Sequence, residues 1–223
     1  MNKLGTLTIL AVAISLSTGA SAAGPSGPLG MTGNQDQVSG RGLSTQLNGS
    51  GMESQLRRQT RDPSSHAAGQ PTQQRNITYT PEQIATLLWM IEEEKLAGDL
   101  YEAFYDQTKL PVFDRIAAAE DRHMDRLVAH AQQANVDVAP ILALPAGQFV
   151  NHELQALYDQ LLQAGSLSAE AALAVGIQVE QDDIAALEAA IAEAAGTLLE
   201  TVYSHLQAGS EHHLAAFDLW SKI

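Results

Sequence analysis

Glu120 and His123 stand three residues apart in "AAAEDRHMDRL", a stretch of strong helical period. That spacing puts both side chains on one helix face, about one turn apart. Phe113, Ile116, Ala117, Met124 and Leu127 share the face, whereas Asp121, Arg122, Asp125 and Arg126 define the opposite one. A carboxylate and an imidazole aimed at a core suit metal ligation, the Glu bridging two cations while the His caps one. A single Glu-x-x-His is common, however, and core histidines usually only hydrogen-bond. The case therefore rests on the other helices.

Three further segments carry the same interruption when each is placed on a wheel of ~100° per residue. Glu94 shares its face with Leu87, Met90, Ile91, Ala97, Gly98, Tyr101 and Tyr105. Glu180 lies among Leu173, Gly176, Ile177, Ile184 and Leu187, with Asp183 one turn on. His213 lies among Val202, Leu206, Gly209, Phe217 and Trp220, with Ser210 a turn before. An unpaired buried carboxylate is costly, so four helices bearing that cost separately would fold poorly. If the interruptions meet at one level, bound cations neutralise them. Glu94, Glu120, Glu180, Asp183, His123 and His213 then supply four carboxylates and two imidazoles, a set suited to two divalent ions. Hard oxygen donors with imidazoles fit iron or manganese best and also accept zinc.

The remaining polar residues read more plainly. Tyr101 is first a core aromatic, with a hydroxyl that could hydrogen-bond a ligand or relay an electron. Glu92, Glu93 and Asp99 read as a solvated face, as charge runs usually do, with Glu93 the second choice for the ligand on its helix. His205 and His212 fall on a helix flank, and His130 and His152 read as exposed. No nucleophile–base arrangement, P-loop or dinucleotide fingerprint is present.

The elements that must position these groups are helices, and no strand signal appears. Helix starts at about Pro81 are marked by Thr80 as N-cap, Pro81 at the first helical position and Gln83 closing a capping box. The period predicts helices over residues 81–107, 113–135, 168–195 and 197–222, with Ser168 capping the third and Gly196 parting the last two. The connection from 136 to 167 is long, contains Pro140, Pro145 and Gly147, and carries a short amphipathic helix, "HELQALYDQLLQ", that Gly165 ends. The expected fold is all-α: an antiparallel four-helix bundle of two hairpins joined by a crossover.

Residues 1–22 have a Lys, a short apolar run and a terminal "ASA", the layout of a secretory signal peptide. The run is short for a membrane span, so the chain is expected to be exported, to the periplasm or beyond the cell. Residues 23–78 are rich in Gly, Ser, Gln, Asn and Pro and read as a disordered linker. Residues 79–223 form the folded domain, with six basic side chains against twenty-three acidic, a net charge of −17. So acidic a domain does not suit nucleic-acid phosphates but attracts cations. The chain has no cysteine, which excludes disulfides, iron–sulfur clusters, thiolate zinc sites and a rubredoxin-like electron-transfer module.

"EEEKLAGDLYEAFY", "AEDRHMDRL" and "VGIQVEQDDIAALE" resemble the first three helices of the ferritin-like superfamily of di-iron carboxylate proteins, the rubrerythrin- and erythrin-like members in particular. The closer similarity, carried by "QALYDQLLQAGS" and "GSEHHLAAF", is to exported bacterial ferritin-like domains of unknown function. The resemblance covers all of residues 79–223 and implies a ferritin-like bundle with a di-iron centre. The last helix departs from the pattern. A second Glu-x-x-His is expected there, but Ser210 stands in phase where the Glu belongs, and Glu211 faces nearly opposite to His213. Asp183 then makes up the carboxylate count, giving an asymmetric set.

The leading expectation is a di-metal protein with redox chemistry, reducing O2 or peroxide as Fe(II) becomes Fe(III). A metal-capturing module without turnover and a metal-free helical interaction domain are the alternatives, and self-association is left open.

Overall fold

The computed structural model describes residues 77–223. The signal-peptide reading of residues 1–22 and nearly all of the linker reading of 23–78 lie outside the described residues. Six helices and no strand occur among those described: α1 Pro81–Thr108, α2 Pro111–Gln133, α3 Ala139–Leu142, α4 His152–Gly165, α5 Ala169–Glu193 and α6 Leu198–Trp220. None is long and apolar enough to cross a membrane.

The helix starts follow local chemistry. The Thr80 hydroxyl accepts from the Gln83 amide at 3.2 Å, and the Gln83 side chain accepts from the Thr80 amide at 3.1 Å. This reciprocal pair satisfies two of the donors that a helix start leaves open. Asn151 caps α4 and Ser168 caps α5 through their side-chain oxygens alone, which accept from the Glu153 and Ala171 amides. The α1–α2 turn needs a left-handed residue, supplied by Lys109 at φ 58°, and Gly196 at φ 79° plays that part between α5 and α6.

The long helices pack as two hairpins, α1 on α2 and α5 on α6, with α1 meeting α5 and α2 meeting α6 across them. The connection from 134 to 168 adds the one-turn α3, which the sequence period does not reveal, and α4, which packs on both α1 and α5. Gly165 does more than end α4. A Cβ there would lie 2.1 Å from the Phe104 ring, so only glycine allows α4 to sit this close to α1.

Because α4 and the crossover cover its second side, the middle of α1 is buried on all faces. Residues 90 to 101 are buried without a break. The expected solvated face of Glu92, Glu93 and Asp99 is therefore wrong: all three are buried. Glu92 accepts from the Val150 and Asn151 amides at 2.6 and 3.0 Å, and Asp99 accepts from the Gly147 amide at 2.8 Å and pairs with Lys95. These acids pin the crossover, satisfying backbone donors that would otherwise be buried unpaired.

The apolar core falls into two clusters. One gathers Leu100, Tyr101, Phe104, Phe113, Val179 and Phe217 with α4; the other gathers Leu87, Ile91, Leu127, Leu187, Tyr203 and Leu206. Between them, on every long helix, lie the polar interruptions.

Candidate metal centre

Each long helix contributes to the layer between the clusters at the point where its apolar stripe breaks. α1 brings Glu94 between Ile91 and Leu96, and α2 brings Glu120 and His123 between Ala117 and Met124. α5 brings Glu180 and Asp183 between Val179 and Leu187, and α6 brings Ser210 and His213 between Leu206 and Phe217. The six residues singled out by periodicity therefore meet at one depth. Glu94, Glu120, Glu180 and Asp183 are buried, and the two imidazoles form the more open edge, with side chains 15% and 12% exposed.

Glu120 is the hub. Its two oxygens face different imidazoles, Oε2 at 2.9 Å from His123 Nδ1 and Oε1 at 2.8 Å from His213 Nδ1. His123 Nδ1 also lies 3.4 Å from Glu94 Oε2, and His213 Nδ1 lies 3.6 Å from Glu180 Oε2. The imidazoles stack, with centroids 5.4 Å apart and planes at 26°. The His123 ring rests on Gly209, where a Cβ would come within 2.7 Å of it.

The Tyr101 hydroxyl donates to Glu180 Oε1 at 2.7 Å, which leaves Oε2 turned toward His213. The Tyr101 ring packs on Phe217 at 5.1 Å and on Phe113 at 6.1 Å, so the hydroxyl has a fixed origin. Ser210 is fully buried and occupies the phase expected for a carboxylate. Its Oγ donates to the Leu206 carbonyl at 3.1 Å and lies beside Asp183. Glu93, read above as solvated, reaches the layer from α1 and meets the Asp183 carboxyl. Periodicity ranks it only second to Glu94 as the ligand on its helix, because a one-sided wheel assigns neighbouring residues to different environments.

The electrostatics are those of a crowded acidic site. Burial, reinforced by Asp183, pushes Glu93 and Glu94 well above the usual carboxyl range. Burial and the Glu120 charge raise Glu180 to about 8, and burial raises Asp183. Burial works against ionisation of Glu120 too, but the two imidazoles outweigh it and hold Glu120 down at about 2. Burial likewise opposes the charged form of His123 and His213, and the facing carboxylates overcome it, raising both to about 10. Fully ionised, the five carboxylates and two imidazoles of the layer would sum to −3.

Several donor atoms in this layer have no hydrogen-bond partner: Glu94 Oε1, both Glu120 oxygens, Glu93 Oε2, Asp183 Oδ1 and the Nδ1 atoms of His123 and His213. The short Glu120–imidazole contacts thus lack the directed N–H···O geometry of a hydrogen bond. Converging oxygen and imidazole donors without directed hydrogen bonds fit a hard or borderline divalent cation. Among the described residues, Glu120, His123 and His213 form the group whose ligand atoms can all lie within 4.8 Å of one another.

The secondary assignments mostly agree with the sequence reading. His152, His205, Glu211 and His212 are exposed, whereas His130 is half-buried rather than exposed.

Known proteins share this chain's architecture. The crystal structure of the hypothetical protein MJ0754 from Methanococcus jannaschii is similar over 67% of this chain and 83% of that one, with a TM-score of 0.60 and 34% identity. In sequence, the uncharacterized protein MJ0754 of Methanocaldococcus jannaschii is 37% identical over 131 residues, 59% of this chain and 70% of that protein. Residues 83–219, which hold every side chain of the polar layer, match the uncharacterized protein domain DUF2202. The chain belongs to the DUF2202 family.

Proposed function

We propose that this chain is an exported ferritin-like protein whose helices hold a di-metal carboxylate–histidine centre, with iron as the metal and oxidation of Fe(II) by O2 or peroxide as the reaction. One observation carries the reading: a buried layer, built by all four long helices, in which carboxylate and imidazole atoms converge without hydrogen-bond partners. A metal-free hydrogen-bond network would leave such atoms satisfied, because an unpaired polar group in a low-dielectric interior is costly. The two hairpins and the long crossover support the ferritin-like arrangement.

Glu94, Glu120, Glu180, Asp183, His123 and His213 would hold the ions. Glu120, with one oxygen toward each imidazole, is the group set to bridge, and Glu180 is the second. Two ferrous ions held there would supply the two electrons that reduce O2 to peroxide, or peroxide with two protons to two waters. The protein's part is positional. Tyr101 fixes Glu180 Oε1 so that Oε2 stays available, and Gly209 leaves room for the His123 ring. The apolar clusters above and below exclude bulk water. The slightly open imidazole edge is the approach for a small oxidant.

Replacement of the expected α6 carboxylate by Ser210 favours a second reading, in which the site captures metal outside the cytoplasm without turnover. Mixing apoprotein with Fe(II) in air separates the two. An oxidase raises Fe(III) absorbance faster than a protein-free control, and a buffering module binds at the background rate. Failure of the anaerobic protein to take up any metal would refute both. Export rests on residues 1–22, and N-terminal sequencing of the mature protein, expected to begin near Ala23, tests it.

A further inference from the structure

The polar layer contains one acid more than the ligand set assigned above, and one place fewer. On α6, Ser210 sits fully buried at the phase where a carboxylate would complete the set. Its short side chain reaches only its own helix carbonyl and Asp183. On α1, Glu93 enters the layer beside Glu94 and meets that same Asp183. Asp183 thus has a serine on one side, where a longer acid is missing, and an additional acid on the other.

Glu92 and Glu93 show why this acid is not another structural one. Both are buried on α1. Glu92 accepts two backbone N–H groups and thereby pins the crossover. Glu93 is 6% exposed, and its Oε2 has no hydrogen-bond partner. It meets the Asp183 carboxyl, whose Oδ1 has none either. Two carboxylates in contact repel unless a shared proton or a cation lies between them.

We propose that Glu93 is a further metal ligand of the centre, supplying from α1 the carboxylate that α6 lacks at Ser210. The inference rests on the di-metal reading and deepens it: the set becomes five carboxylates and two imidazoles, with Glu93 and Asp183 serving the same ion.

The test is anaerobic titration calorimetry of the full chain with Mn(II) alone, for wild type, Glu93→Gln and Glu93→Gln/Ser210→Glu. Far-ultraviolet circular dichroism of the same samples reports folding. Wild type is expected to take two equivalents. E93Q should lose one, or bind it at least about tenfold more weakly, the smallest loss expected even for a group that only supports a ligand. The double variant, which moves the carboxylate from α1 to α6, should restore the second equivalent. It also decides the matter if E93Q alone folds poorly. Two equivalents bound with unchanged affinity by a folded E93Q would overturn this inference and leave the di-metal reading standing, Glu93 then only sharing a proton with Asp183. Wild type that takes no metal would overturn both.

Discussion

The imidazoles of His123 and His213 stack 5.4 Å apart and divide the two oxygens of Glu120 between them. Two protonated rings at that separation repel, and without a metal they must be held by Glu120 together with Glu94 beside His123 and Glu180 beside His213. As neutral ligands on two cations, the same rings sit side by side without that cost. The relation therefore joins packing to function: α2 and α6 approach closely because Gly209 accepts the His123 ring, and this approach brings both nitrogens to one carboxylate.

Gly209→Ala tests that approach. The added Cβ would lie 2.7 Å from His123 ring atoms, so the ring must tilt or the helices must part. Overpacking of this kind costs about 1–3 kcal/mol. Urea unfolding of the metal-free chain should show that loss, and calorimetry should show weaker Mn(II) binding. Unchanged binding would mean that His123 needs no such cradle.

Tyr101→Phe should separate support from ligation. It keeps the ring against Phe113 and Phe217 and removes the donor to Glu180. Stability of the metal-free chain at neutral pH, where Glu180 is still protonated, should fall by about 0.5–1.5 kcal/mol, the range for a hydrogen bond between neutral groups. Metal stoichiometry should stay the same, read by elemental analysis after desalting. Loss of an ion would show that Tyr101 does more than hold Glu180.

Glu92→Gln is the structural contrast to Glu93. It weakens the acceptor of the Val150 and Asn151 amides and loosens the crossover. The expected result is a loss of about 1–3 kcal/mol with metal uptake intact, measured by urea unfolding and by titration of the same preparation.

Metal-free stability and the gain on adding metal should depend on pH in opposite senses. In the metal-free chain, Glu180 stands at about 8 against an ordinary 4.5, so its contribution is full below 4.5 and is lost as pH rises through 8. His123 and His213 stand at about 10 against 6.5, so theirs is full below 6.5 and is lost as pH rises through 10. Glu120, at about 2, contributes above 4.5 and loses that only as pH falls through 2. Metal-free Tm should therefore peak at about pH 4.5 and decline toward pH 10. Ligands must shed protons to bind, so the rise in Tm on adding Mn(II) should grow over the same span. Thermal scans at matched ionic strength check both slopes.

Much of this was legible in the chain. Caps at Thr80 and Ser168, the break at Gly196 and the 3.6-residue period located the four long helices to within a few residues. The same period brought Glu94, Glu120, His123, Glu180, Asp183 and His213 to one depth, because each interrupts an apolar stripe whose register the core enforces. The wheel failed on α1. It assumes one buried face, and Glu92, Glu93 and Asp99 lie on a helix that α4 and the crossover enclose from the other side. Which acid pins a loop and which faces the site depends on backbone N–H groups at Gly147, Val150 and Asn151, far away in sequence. The one-turn α3 is too short to have a period at all.

Crystals of the full chain soaked anaerobically in Mn(II) or Fe(II), measured at the metal absorption edge, test the central claim most directly. Two anomalous peaks should appear flanking the Glu120 carboxylate, about 3.5–4 Å apart as in other paired-metal sites, one beside His123 and one beside His213. Peaks confined to the acidic surface, with the layer between the apolar clusters empty, would contradict it.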